Sequence, residues 1–88
     1  DNRLEGKYKN MNIEDILSSI GLNERYLYAN DLFDGEMDIF KSEIQIINDF
    51  DSLSEAMEYW NNLKDKYNWE LENTLVQALE TLIERRYK

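Results

Sequence analysis

Eighty-eight residues with a net charge of −9, a mean hydropathy of −0.73 and no cysteine, histidine or proline bound one small acidic domain, near the size where a single core becomes self-sufficient. The charge argues against a nucleic-acid or anionic-membrane surface, and no apolar run approaches the roughly 18 residues that cross a bilayer. Without cysteine or histidine there are no disulfide staples, thiolate zinc sites, Ser–His–Asp triads or Cys–His pairs.

The absence of staples favours a cytoplasmic setting. Asp1 in place of Met reads as a processed chain or a piece of a longer one. Residues 1–10 are polar and mixed in charge, without apolar periodicity, and read as a flexible leader or linker. The domain proper is expected over 11–88. Asn12 is placed to cap a first helix, about 12–20, in which Ile13, Ile16, Leu17 and Ile20 fall at helical spacing. Gly21 follows where a left-handed C-terminal residue is wanted. Asn23 is placed to cap a second helix, about 23–33, with Tyr26, Ala29, Leu32 and Phe33 on one face and Gly35 at its end.

The third predicted helix, about 36–49, carries two apolar stripes. Met37, Phe40, Ile44 and Ile47 form one; Ile39, Ile46 and Phe50 form the other; together they span roughly 160° of the circumference. Asp38, Lys41, Gln45, Asn48 and Asp49 fill the polar arc. So wide an apolar arc suits either a helix covered from two sides or one that offers a stripe to a partner. Glu43 sits between the stripes, where burial demands a partner such as Arg25 or a tyrosine hydroxyl.

Ser52-Leu53-Ser54-Glu55 has the form of a capping box. It opens a fourth helix, about 53–66, with Leu53, Ala56, Met57, Trp60, Leu63 and Tyr67 on one face. After a connection at Asn68 and Trp69, a fifth helix of about 71–87 turns Leu75, Ala78, Leu79, Leu82 and Ile83 inward. Arg85, Arg86 and Lys88 gather at its end, where cations complement the helix dipole. Tyr28 and Trp69 fall outside the clean stripes; core or rim packing is the expected role for each, with an interface anchor as the alternative. The fold class expected is all-α, a compact bundle of about five short helices.

Nearly all the net charge lies in the middle: nine carboxylates face a single lysine between Asp31 and Glu58. An EF-hand does not account for it. With Gly35 at loop position 6, Leu32 falls at position 3 and Lys41 at position 12, where a bidentate Glu is required. The pairs Glu14/Asp15, Glu55/Glu58 and Glu80/Glu84 lie on polar arcs and read as solvated faces rather than acid–base pairs. No catalytic, metal-binding or cofactor-binding residue is therefore expected.

The run Ile20-Gly21-Leu22-Asn23-Glu24-Arg25-Tyr26-Leu27-Tyr28, followed by Asp31-Leu32-Phe33-Asp34-Gly35, resembles uncharacterised small helical domains of Bacteroidetes bacteria. Ser52-Leu53-Ser54-Glu55-Ala56-Met57-Glu58-Tyr59, Tyr67-Asn68-Trp69 and Leu82-Ile83-Glu84-Arg85-Arg86-Tyr87 resemble that family's remaining signals. The likeness covers about residues 13–88 and implies a bacterial accessory domain without a catalytic residue to carry over.

The residues expected to meet a partner are Asp31, Asp34, Glu36, Asp38, Ile39, Glu43, Ile46 and Phe50. That partner is a protein or a second copy of the chain, with no direct nucleic-acid or membrane contact. The leading expectation is a non-enzymatic protein-binding module. The alternative is an acidic mimic of DNA that occupies a basic groove.

Overall fold

The computed structural model describes residues 14–88; the leader at 1–10 and the roles expected of Asn12 and Ile13 lie outside the described residues. The described residues form a 3₁₀ turn (Leu17–Ser19) and four α-helices: α1 (Leu22–Leu32), α2 (Met37–Asn48), α3 (Leu53–Tyr67) and α4 (Thr74–Arg86). There is no strand among the described residues.

The described residues thus form four α-helices rather than about five. Across 12–20 the described backbone makes only a 3₁₀ turn, with Ser19 N–H donating to Ile16 O and Ile20 N–H to Leu17 O. The serine hydroxyls compete for local partners there: Ser18 donates to the Asp15 carboxylate and Ser19 to the Asp15 carbonyl. Such bonding favours turns over helix continuation. Ile20 is extended, yet Ile16 and Ile20 are both buried. Their spacing marked the core correctly and the local structure wrongly.

Gly21 is not left-handed. At φ −63° and ψ 156° it is the N-cap of α1, so the helix starts at Leu22, without the expected Asn23 cap. The α1 terminus does turn through positive φ, at Asp34 (56°) and Gly35 (84°). Phe33 and Gly35 N–H groups both donate to Ala29 O, satisfying a carbonyl that the helix end would otherwise orphan.

Ser52 caps α3 as its sequence predicts, accepting from Glu55 N–H at 3.2 Å while its hydroxyl donates to the Glu55 carboxylate. Asn68, left-handed at φ 56°, ends that helix. Asn73 caps α4 by accepting from Leu75 and Val76 N–H.

The core is aromatic at one end and aliphatic at the other. Phe33 lies at the centre of the aromatic part, with Phe40, Tyr67 and Trp69 rings 5.7, 5.2 and 5.3 Å away. Tyr28 stacks on Phe40 and Trp60 packs against Trp69. The Trp69 indole N–H donates to Leu32 O at 2.9 Å, which lets a half-buried tryptophan seal the cluster without an orphaned donor.

Tyr28 and Trp69 are therefore packing residues. The buried positions of α1 are Tyr28, Ala29 and Leu32, and Tyr26 is exposed instead. On α4, Val76, Leu79 and Ile83 are fully inside, whereas Ala78 is exposed. Leu53, at the start of α3, also reaches solvent.

Candidate functional site

Helix α2 packs against the 3₁₀ turn and all three other helices, so its inner arc is closed. Phe40, Ile44 and Ile47 have no solvent exposure. Its second stripe differs: Ile39 and Ile46, two turns apart, are 41% and 43% exposed. Phe50, four residues beyond Ile46, is half-buried and lies 5.7 Å from the Tyr59 ring.

Glu43 lies between these stripes and is 9% exposed. Its carboxylate accepts a short hydrogen bond from the Tyr59 hydroxyl. The tyrosine alternative thus applies, and Arg25 is not the partner. The Arg25 guanidinium instead donates to the carbonyls of Ile20 and Leu17, at 3.0 and 2.9 Å. Leu17 O also accepts from Ile20 N–H, so the arginine braces the end of the 3₁₀ turn and is used locally. The bond to Glu43, followed by burial and the Glu43 charge, pushes the Tyr59 hydroxyl up from its usual 10 to about 12.

Beside this pair is an open depression of about 230 Å³, lined by Phe50, Glu55, Glu58, Tyr59 and Asn62. Phe50 and Tyr59 give it aromatic walls. Glu55 and Glu58 are both exposed, and α3 sets them one turn apart on the same side.

The predicted contact residues therefore separate into two groups. Ile39, Glu43 and Ile46 run along one side of α2 and Phe50 lies just past its end, with Phe50 and Glu43 both meeting Tyr59. Asp31, Asp34, Glu36 and Asp38 are exposed around the α1–α2 turn. No group of three or more acidic residues among the described residues is arranged to hold a metal ion, and no described helix is long and apolar enough to cross a membrane.

Three residues matter more than their sequence position suggests. Tyr59 is the partner of Glu43. Glu80, read as part of a solvated pair, accepts from the buried Trp60 indole at 2.8 Å and from Lys64 at 3.1 Å. Asn48, assigned to the polar arc, is buried; its side-chain oxygen accepts from Ile16 N–H at 2.9 Å and Arg86 Nε–H at 3.1 Å. Its position one turn after Ile44 and next to Ile47 was the available signal.

Residues 17–88 match the family model described as a domain of unknown function, DUF8457. No curated protein and no solved structure matches the chain.

Proposed function

This chain belongs to the DUF8457 family, and we propose that it is a non-enzymatic protein-binding module whose contact surface is the outer side of α2. The observation that carries this reading is the exposure of Ile39 and Ile46, at 41% and 43%, on a helix whose neighbouring apolar stripe, Phe40, Ile44 and Ile47, is fully buried. Covering the part of each isoleucine still in water gains roughly 1 kcal/mol. Acids on the α1–α2 turn supply a charged flank that steers a basic partner and rejects acidic ones.

The module is bacterial and cytoplasmic in this reading, and its Bacteroidetes origin rests on the likeness of its sequence motifs. A second copy of the chain is the other occupant such a face accepts. Mimicry of DNA is less well supported, because it needs carboxylates spaced like phosphates along one surface. Here Glu43 is held by Tyr59, Glu55 takes part in a helix cap, and Glu80 is tied to Trp60 and Lys64.

Affinity capture from the native cell tests the reading, with the chain as bait beside Ile46→Glu and a variant carrying Asp31→Asn, Asp34→Asn, Glu36→Gln and Asp38→Asn. The expected result is a specific protein lost with Ile46→Glu and weakened by the neutralised turn. Identical capture by all three baits overturns the proposal, and light scattering on the purified chain separates a foreign partner from self-association.

A further inference from the structure

We infer that the depression between Phe50 and Tyr59 is a receptor for an arginine side chain on the partner segment. The inference rests on the protein-binding reading above and names the chemistry that the surface selects. Phe50 and Tyr59 lie 5.7 Å apart with their planes inclined by 51°, so the two half-buried rings form a fixed corner. Glu55, Glu58 and Asn62, one or two turns apart along α3, complete its lining. The volume of about 230 Å³ admits a guanidinium with part of its methylene stem.

Charge complementarity decides the occupant. The segment from Asp31 to Glu58 carries nine carboxylates and only Lys41 as a base, and both charged residues lining the depression are glutamates. An anion or an apolar side chain would leave those carboxylates partly desolvated without compensation. A guanidinium stacks on an aromatic face and donates in a planar fork to a carboxylate, whereas an ammonium offers a compact, strongly hydrated point charge.

The buried Glu43 carboxylate accepts a hydrogen bond from the Tyr59 hydroxyl. This bond fixes the ring that the cation would cover and adds negative charge behind it. The raised pKa of Tyr59 agrees, since the hydrogen bond to Glu43, burial and the Glu43 charge all act to keep that hydroxyl neutral. Phe50 follows Ile46 by four residues, so a partner segment seated on Ile46 has its next residues beside the depression.

The probe is a blocked Gly-Arg-Gly peptide, titrated into the full chain and followed by amide chemical shifts. Matched peptides carry citrulline or lysine at the central position. We expect shifts centred on residues 50–62, binding by the citrulline peptide weaker by about fivefold or more, and Glu58→Gln weakening the arginine peptide about threefold. Phe50→Leu weakens it as well, with circular dichroism confirming that both variants remain folded.

Equal binding by the citrulline peptide overturns the proposal, as do shifts confined to Asp31–Asp38. Equal binding by the lysine peptide overturns the choice of arginine. The titration needs no natural partner, so its failure is a separate result from failed capture by the Ile46 face.

Discussion

The two ends of α2 solve opposite problems. Its N-terminal end, at Glu36, Met37 and Asp38, follows a turn crowded with acids, and no side chain caps it. Its C-terminal end holds a single neutral amide, Asn48, which joins the segment at Ile16 to Arg86 at the end of α4. Tyr87 adds a hydroxyl bond to the Ile47 carbonyl. Four exposed carboxylates at one end dominate the sequence, whereas one buried oxygen at the other ties three elements together. Charge density and structural importance are therefore uncoupled along this helix. Exposed charges exchange one hydrated state for another, while a buried acceptor leaves its donors stranded when removed.

The largest effect should follow Asn48→Ala, which strands the Ile16 N–H and an Arg86 N–H in a buried place. We expect a loss of about 3 kcal/mol in urea unfolding, and a loss below about 1 kcal/mol breaks the contrast. Next comes Tyr59→Phe, which leaves the Glu43 carboxylate without its donor and should cost about 2 kcal/mol at neutral pH.

The same substitution changes the alkaline limb. The fold holds Tyr59 neutral up to about 12, above its usual 10. Its contribution is therefore fully present below pH 10 and is lost as pH rises from 10 towards 12. Unfolding free energies across that window should fall less steeply for Tyr59→Phe. Part of the slope persists, because burial also raises the hydroxyls of Tyr28 and Tyr87. An unchanged slope removes the role assigned to the Glu43–Tyr59 bond.

Ser52→Ala should cost about 1 kcal/mol through loss of the α3 cap. Neutralising Asp31, Asp34, Glu36 and Asp38 together gives the smallest change, within about 0.5 kcal/mol per site and with weakened self-repulsion on the favourable side. Thermal unfolding of that variant near the parent value sharpens the comparison; a large loss reverses it.

Much of this was legible in the residues. The capping box at Ser52 and the two apolar stripes of α2 follow from spacing alone, because burial of one helix face leaves a periodic record; which stripe stays half-exposed does not. The missing first helix shows the limit of that record. Ile16 and Ile20 carry helical spacing because the core needs both side chains, while local hydroxyl bonds at Ser18 and Ser19 set the backbone. Tyr26 and Tyr28 differ by 200° around α1, and only tertiary packing decides which tyrosine goes inside.

Within the candidate surface, a demand for a partner at Glu43 was readable, as was a tyrosine among its possible donors. That the donor is Tyr59, on another helix, was not, because pairing between helices depends on how their axes cross. Asn48 was hidden for the same reason: an amide at the edge of an apolar arc looks like a boundary residue until its distant donors are known.

The shared oxygen of Asn48 also bears on how the chain can be reconnected. Ile16, where the described fold begins, and Arg86, where it closes, both reach the same atom. Two positions this far apart in the chain and this close in space can be bridged with little stretching. They also suit circular permutation, in which a short linker joins the two ends and the chain is reopened at the exposed α1–α2 turn.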